Sequence, residues 1–402
     1  MALVNNTSLK TLQLSHNPIE GPGVETLAEA LKINSSLTSL EVHDIDADED
    51  YGREIKEFRL LFDALKFNST LSSLRLGNNS FGEEGHAKLW EMLKINSSLT
   101  SVQFSDIFCP INVNGVSEML AVNTSLNSLT LGKLDGDDEP FDHQNQMQGE
   151  QLEIVMKGLT NNSTLQSLVI SDLDVDDQAA RSVAQMLRAN SSLTDLKLLD
   201  WSVFSMSGLT EILESLRFNS SLATLHCTID PYEPDPKIGS RMWTTLADLL
   251  KGNSSLTAFS CRSDYDSLAD NNSQMDSEGR NALAAALAVN TTLRSLELKG
   301  LQHSFDEVSF GELAAAINHN SSLTACDMGR FPDTLNEVKT QIGAVMERNQ
   351  INARMHQAKF FDLLLLLSQG TATTTSCLDD DVTSSDSSGE ESDLPIKRQR
   401  HR

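Results

Sequence analysis

"LKINSSLTS" occupies residues 31–39 and returns letter for letter at 93–101. Each copy holds Asn-Ser-Ser, an acceptor pattern for N-linked sugar. The same letters also suit a turn that a repeating chain needs once per repeat. Aligned on Asn-(Ser/Thr)-(Ser/Thr)-Leu, the chain gives eleven copies. They start at Asn6, Asn34, Asn68, Asn96, Asn123, Asn162, Asn190, Asn219, Asn253, Asn290 and Asn320. The spacings run 28, 34, 28, 27, 39, 28, 29, 34, 37 and 30, with a degenerate twelfth start at Asn349. Self-similarity at this period marks a solenoid.

One repeat explains its own letters. After the turn comes Leu-x-x-Leu-x-Leu, as in "LKTLQL" (9–14) and "LRSLELK" (293–299). Such alternation predicts a short strand with one buried face. A loop follows, then a helical pattern, as in "GVETLAEALK" (23–32) and "SEGRNALAAALAVN" (277–290). There Leu27, Ala28 and Leu31 share a face, as do Leu283, Ala284 and Leu287. Asp276 and Ser240 are placed to cap two of these helices. Neither strand nor helix buries its apolar side alone, and stacking buries both. The Asn falls between helix end and strand start. It is expected to take the left-handed conformation that closes helices, with the hydroxyls bonding nearby backbone.

At this point the chain resembles the leucine-rich repeat family, in its ribonuclease-inhibitor-like class. "LKTLQLSHNPI" (9–19) matches the Leu-x-x-Leu-x-Leu-x-x-Asn-x-Ile core, and "LSSLRLGNNSF" (71–81) nearly does. The resemblance covers roughly residues 6–367. It implies an α/β, right-handed leucine-rich-repeat solenoid, a horseshoe with a concave parallel sheet and outer helices. The family's Asn, eight residues past the first strand Leu, survives only at Asn17 and Asn79. Elsewhere that position is mostly apolar, as at Ile45 and Leu173, so an amide ladder there is largely missing. Residues 1–368 read as this repeat domain, ending in a closing helix over 351–369. Strand leucines begin almost at once, at Leu9. The first repeat's edge is therefore expected to be covered by a partner, or to continue into an upstream portion.

Composition narrows function. The chain has 402 residues, 57 acids and 31 bases, a formal charge of −26. A field of that sign disfavours nucleic acid and anionic membrane surfaces. "MALVNNTSLK" has no apolar run of signal-peptide length. The longest apolar stretch, "FFDLLLLL" (360–367), is interrupted by Asp362 and is too short to span a bilayer. Five cysteines are too few for a disulfide scaffold in a chain this long. The expectation is a soluble protein of the cytoplasm or nucleus, which removes most of the case for sugar.

In the implied fold, residues between the strand leucines face the concave side. Two positions past the first strand Leu, eight of eleven are Ser or Thr, a generic polar floor. The next row reads Gln13, Glu41, Arg75, Gln103, Thr130, Val169, Lys197, His226, Ser260, Glu297 and Asp327. The third includes His43, Arg262 and Lys299. Arginine and aromatics dominate binding hot spots, and here only Arg75 and Arg262 qualify. The candidate partner-binding residues are Glu41, Arg75, Gln103, Lys197, His226, Arg262, Glu297 and Asp327. This surface reads either as generic or as a shallow groove for an extended or helical segment.

The long repeats carry their extra length after the strand, and those loops are acidic: "HDIDADEDYG" (43–52), "DGDDEPFDHQNQMQGE" (135–150), "DPYEPDPK" (230–237) and "SDYDSLADNNSQMDSE" (263–278). Parallel repeats put them on one edge. Asp46, Asp48, Asp137, Asp138, Asp174, Asp176 and Asp264 form the expected acidic rim. It reads as solvated loops or as a surface steering a basic protein partner.

Catalytic and metal chemistry find little support. "DIDADED" (44–50) fails the calcium-loop pattern, which needs Gly and Glu where Glu49 and Ile55 stand. No Cys-x-x-Cys, Walker motif or Gly-x-Ser-x-Gly occurs. Cys227 and Cys261 take the same inward position in adjacent repeats, as reduced core residues before a redox pair. Trp90 and Trp243 fall in helical patterns and read as core. No cofactor and no metal is expected.

Residues 369–402 lose all apolar period and are expected to be disordered. Thr383, Ser387 and Ser388 each precede an acid by three residues, resembling acidophilic kinase sites. Lys397, Arg398 and Arg400 resemble a short nuclear import signal. The first reading of the whole is a non-enzymatic interaction scaffold. Beside it stands a small-GTPase regulator, since the repeats also resemble the Ran GTPase-activating proteins, with Arg75 beside Asn78 and Asn79 as the residue for that role. The recognition part of a larger immune-type sensor is a third.

Overall fold

The computed structural model describes residues 2–43, 45, 55–77, 79, 81–104, 111–132, 146–171, 173–199, 204–230, 236–263, 275–299, 307–329 and 336–372. Two compact units divide the chain, Met1–Asn349 and Gln350–Arg402.

In the first unit strand and helix alternate. The order opens β1 (Thr11–Gln13), α1 (Glu20–Leu31), β2 (Ser39–His43), α2 (Phe58–Leu65), β3 (Ser73–Gly77), α3 (Gly82–Ile95), β4 (Ser101–Phe104), α4 (Val113–Val122) and β5 (Ser128–Leu131). It continues with β6 (Met147–Gln148), α5 (Gly149–Leu159), β7 (Ser167–Ile170), β8 (Leu173–Asp174), α6 (Asp177–Ala189), β9 (Asp195–Leu198), α7 (Met206–Leu216) and β10 (Thr224–Thr228). Then come α8 (Pro236–Gly252), β11 (Ala258–Arg262), α9 (Ser277–Val289), β12 (Ser295–Glu297), α10 (Glu307–His319), β13 (Ala325–Asp327) and α11 (Asn336–Ala372), whose residues from Gln350 onward fall in the second unit.

Among the described residues eleven strands make one sheet, ordered β1-β2-β3-β4-β5-β7-β9-β10-β11-β12-β13, with each neighbouring pair parallel. One strand per repeat, laid in sequence order, is what a right-handed strand–helix unit gives when it only contacts its neighbours. The strand leucines point into a continuous core. Leu40, Leu74, Leu129, Leu168, Leu196 and Leu225 are buried, and the helices close over them with Leu31, Leu65, Leu93, Leu159 and Leu187. Trp90 and Trp243 are both buried in this layer.

The repeated Asn works differently from the left-handed cap expected of it. Asn96, Asn123, Asn190 and Asn290 end their helices with φ between −66° and −79° and ψ between 130° and 133°, which is extended backbone. Asn is needed for its side chain. Oδ1 of Asn96 accepts from the backbone N–H of Ser98 and Leu99, at 2.9 and 2.7 Å. Its Nδ2 donates backwards to the carbonyls of Leu65 and Asn68, at 2.7 and 3.1 Å. Asn190 repeats all four bonds, donating to the carbonyls of Leu159 and Asn162 and accepting from the N–H groups of Ser192 and Leu193. Each amide therefore closes its own turn and staples it to the previous repeat. The hydroxyl two residues on adds a rung, as Ser98 and Ser192 donate to the carbonyls of Asn68 and Asn162.

These Asn side chains are buried, and the nitrogen that would carry a sugar is already committed to backbone carbonyls. The opening motif is a structural turn in the folded array. The amide ladder that the sequence lacks after the strand stands instead before it. At Asn349 the ladder continues, with bonds to Asn320 and Leu323 carbonyls, but the residue sits inside α11 and no strand follows among the described residues.

Asp276 caps α9 through the Gly279 N–H, as its position implied. Ser240 does not cap. It lies within α8, which begins at Pro236, where a missing N–H costs a helix nothing. Ile45 and Leu173 are fully buried and extend the core beneath the loops. A two-stranded sheet, β6 with β8, was not foreseen. No helix of the described residues is long and apolar enough to cross a membrane.

Candidate functional site

The register fixes the outward face of the sheet. Gln13 pairs with Glu41, Glu41 with Arg75, and Arg75 with Gln103. The row continues through Thr130, Val169, Lys197, His226, Ser260, Glu297 and Asp327 without a slip. Every candidate partner-binding residue read from the sequence therefore lies on one face, in two groups: Glu41, Arg75 and Gln103 on β2–β4, and Lys197, His226, Arg262, Glu297 and Asp327 on β9–β13. From β2 to β12 the residues of this row are half-buried, and at the two ends, Gln13 and Asp327, they are exposed.

Charge concentrates at the two ends of the row. On β10–β13, Arg262 donates Nε and Nη2 to the two carboxylate oxygens of Glu297, each at 2.9 Å. Ser260 Oγ donates to the same carboxylate at 2.8 Å. Lys299 bridges Glu297 at 3.3 Å and Asp327 at 3.1 Å. Burial alone would raise the Glu297 pKa. The hydrogen bonds from Arg262, Ser260 and Lys299 outweigh it and hold the carboxyl down at about 2. Asp327, then Glu297, push Lys299 above the ordinary lysine range. His226 is drawn down to about 4, first by burial and then by the nearby Arg262 charge, so it is neutral at pH 7.

At the other end, Glu41 accepts from Gln13 Nε2 at 3.1 Å and lies 3.4 Å from His43 Nε2. His43 meets His16 edge to face, with ring centroids 4.5 Å apart. Between these ends the floor is small and neutral: Ser101, Ser128, Thr130, Ser167 and Val169. The face offers donors and acceptors in a line. Lys299, Ser260 and His16 are participants that the candidate list omitted. The first two were visible in the sequence rows, but their bonding is set by neighbours one strand away.

Of the acidic rim, Asp174 and Asp176 are described and exposed. Asp176 caps α6 by accepting from Gln178 and Ala179, and Asp174 accepts from Gln148. Asp46, Asp48, Asp137, Asp138 and Asp264 lie outside the described residues, as do Thr383, Ser387, Ser388, Lys397, Arg398 and Arg400. Among the described residues no cluster of His, Cys, Asp and Glu is arranged to hold a metal ion. Cys227 and Cys261 are register partners, both buried and both free thiols. The hydrogen bond of the Cys261 thiol to Cys227, then burial, raises the Cys261 pKa.

A family model described as "Leucine Rich repeat" matches residues 5–28. With the eleven-strand parallel array, that match decides the fold. This is a leucine-rich repeat solenoid. Among curated proteins, the leucine-rich repeat chain is 26% identical over 227 residues to the Rho GTPase-activating protein gacW of Dictyostelium discoideum. The match takes in 55% of this chain and 19% of that protein, so the chain spans about a fifth of its relative. Among solved structures it is similar to leiomodin-1 actin-binding site 2, at 13% identity and a TM-score of 0.26, covering 70% of this chain and 98% of that one. It is similar also to the tropomodulin C-terminal domain of Caenorhabditis elegans, at 12% identity and the same TM-score, over 62% and 99%.

Proposed function

We propose that this leucine-rich repeat chain is a non-enzymatic protein-interaction module that holds a partner on the open face of its sheet. One observation carries the reading: an in-register row across eleven strands, polar or charged on every strand except β7, where Val169 stands. A repeating backbone presents such a row at fixed spacing, which suits an elongated segment of another macromolecule rather than a small substrate. The acidic post-strand loops complement a basic partner and steer its approach. Helices of ten or more residues in most repeats, with spacings of 27 to 39, support the ribonuclease-inhibitor-like class.

The similarity to a Rho GTPase-activating protein is compatible with a role at a small GTPase but does not favour it, since it spans 19% of that protein. We infer a cytoplasmic or nuclear protein, with Lys397, Arg398 and Arg400 as import signal and Thr383, Ser387 and Ser388 as phosphate acceptors that tune it.

The test is affinity capture with the full chain at about 0.05 M and about 0.5 M salt, where screening lengths differ by roughly threefold. A basic protein held at low salt and released at high salt supports the reading. Salt-insensitive binding, or GTP hydrolysis accelerated in single turnover, contradicts it.

A further inference from the structure

The edge of the array where helices end and strands begin carries a second regularity. The residue just before the repeated Asn is turned outward in repeat after repeat, because the Asn side chain dives into the array and leaves its predecessor on the corner. In many repeats that residue is large and apolar. Ile33 is 65% exposed, Phe67 83%, Ile95 56% and Val122 56%, in four consecutive repeats, and Phe218 is 75% and Val289 65% exposed further on. Such exposure in a fixed column stabilises nothing in the folded array. Contiguous exposed apolar surface on a soluble protein marks contact with something else.

The charge of this edge is opposite to that of the chain. The residue preceding each column member is basic in six of ten repeats: Lys32, Lys66, Lys94, Arg188, Arg217 and Lys251. The four-residue segments ending each helix, from "KINS" (32–35) to "NHNS" (318–321), contain no Asp or Glu at all. Half of those forty positions are the motif's own Asn and Ser/Thr; among the other twenty, a chain with 57 acids in 402 residues would place about three at random. Four of the six, Lys32, Lys66, Lys94 and Lys251, contact Glu29, Asp63, Glu118 and Asp248 at their flanks. Exposed pairs of this kind are weak and exchange readily.

We propose that this helix-end edge is a docking surface for an acidic polypeptide segment that carries apolar side chains on one face. Basic and apolar columns side by side match such a segment in both respects. A second copy of the chain fits poorly, since two such edges would oppose like charges. An anionic bilayer would meet the −26 chain over a broad front, whereas a short segment meets only the basic edge within a screening length. The site is separate from the open face of the sheet, so either stands without the other.

The full chain is titrated into a labelled synthetic helix with Leu on one face and Glu on the other, beside polyglutamate and phosphatidylserine vesicles. The Leu/Glu helix is expected to bind. The double variant Phe67→Ser, Phe218→Ser should weaken it about tenfold with an unchanged melting profile. Lys66→Glu with Arg217→Glu should weaken it as well and flatten its salt dependence. Polyglutamate should bind less than the helix. Absence of helix binding, or equal binding by wild type and both variants, overturns the proposal. Vesicle binding in place of helix binding assigns the edge to lipid, and self-association abolished by Phe67→Ser assigns it to a second copy; each overturns it too.

Discussion

Arg262 grips Glu297 with both arms of a fork, Nε to one carboxylate oxygen and Nη2 to the other. The two residues sit on adjacent strands and two positions apart in register. The pair is therefore a diagonal brace across β11 and β12 on the face that we assign to the partner. Arg262→Ala removes the brace but leaves Ser260 and Lys299 on the carboxylate. With the Arg262 side chain 42% exposed, solvent screening keeps the cost to about 1 kcal/mol, read as a shift in the urea midpoint.

Glu297 also sets an acid limit. Its folded pKa of about 2 lies below the unfolded value of about 4.3. A depressed carboxyl stabilises the fold above the unfolded pKa and loses that contribution as pH falls through the folded one. The Glu297 contribution is thus complete above pH ~5 and fades between ~4 and ~2. In Glu297→Gln, urea midpoints should fall less steeply across that window than in wild type.

His226 gives a second, earlier limb. A base held at about 4 against about 6.5 unfolded favours the folded state above pH ~6.5 and loses that preference as pH drops to ~4. Proton NMR should find the His226 titration near 4. Arg262→Ala should move it upward, and Glu297→Gln should move it further down.

The Asn ladder is the strongest stability claim. Asn96→Ala strips two N–H groups and two carbonyls of their partner inside the array. The expected loss is about 3 kcal/mol, measured by urea unfolding. Asn96→Asp keeps the acceptor, loses the donor and buries a charge, so it should not rescue. If Asn served only as a flexible helix end, Asn96→Gly would be nearly neutral instead.

Cys227 and Cys261 should resist alkylation in the folded protein, because both are buried and the Cys261 thiol is held protonated. Mass mapping after a native iodoacetamide pulse should find both unmodified, and modified after unfolding in urea.

The period of eleven Asn-(Ser/Thr)-(Ser/Thr)-Leu motifs was enough to name the fold and to place Gln13 through Asp327 in one row. A fixed offset from a buried leucine becomes a fixed direction once strands stack in register. What the Asn does was not legible. Left-handed backbone and an inward amide both favour Asn, and only coordinates separate them. Ser240 failed as a cap because Pro236 is an equally good helix start four residues earlier. The bonds of Lys299 depend on Asp327, which is one repeat and 28 residues away. The exposed column at Phe67 and Phe218 was present in the letters, but apolar periodicity directs attention to what is buried, and exposure appears only when the corner is built.

The central claim, that a partner lies along the open face of the sheet, is tested most directly by calorimetry with the captured partner. Glu41→Lys with Asp327→Lys turns two acids of that face against a basic partner, and Glu29→Lys alters the outer surface of α1. The open-face variant should weaken binding about tenfold or more while Glu29→Lys leaves it unchanged. Equal affinity for wild type and the open-face variant would contradict the account.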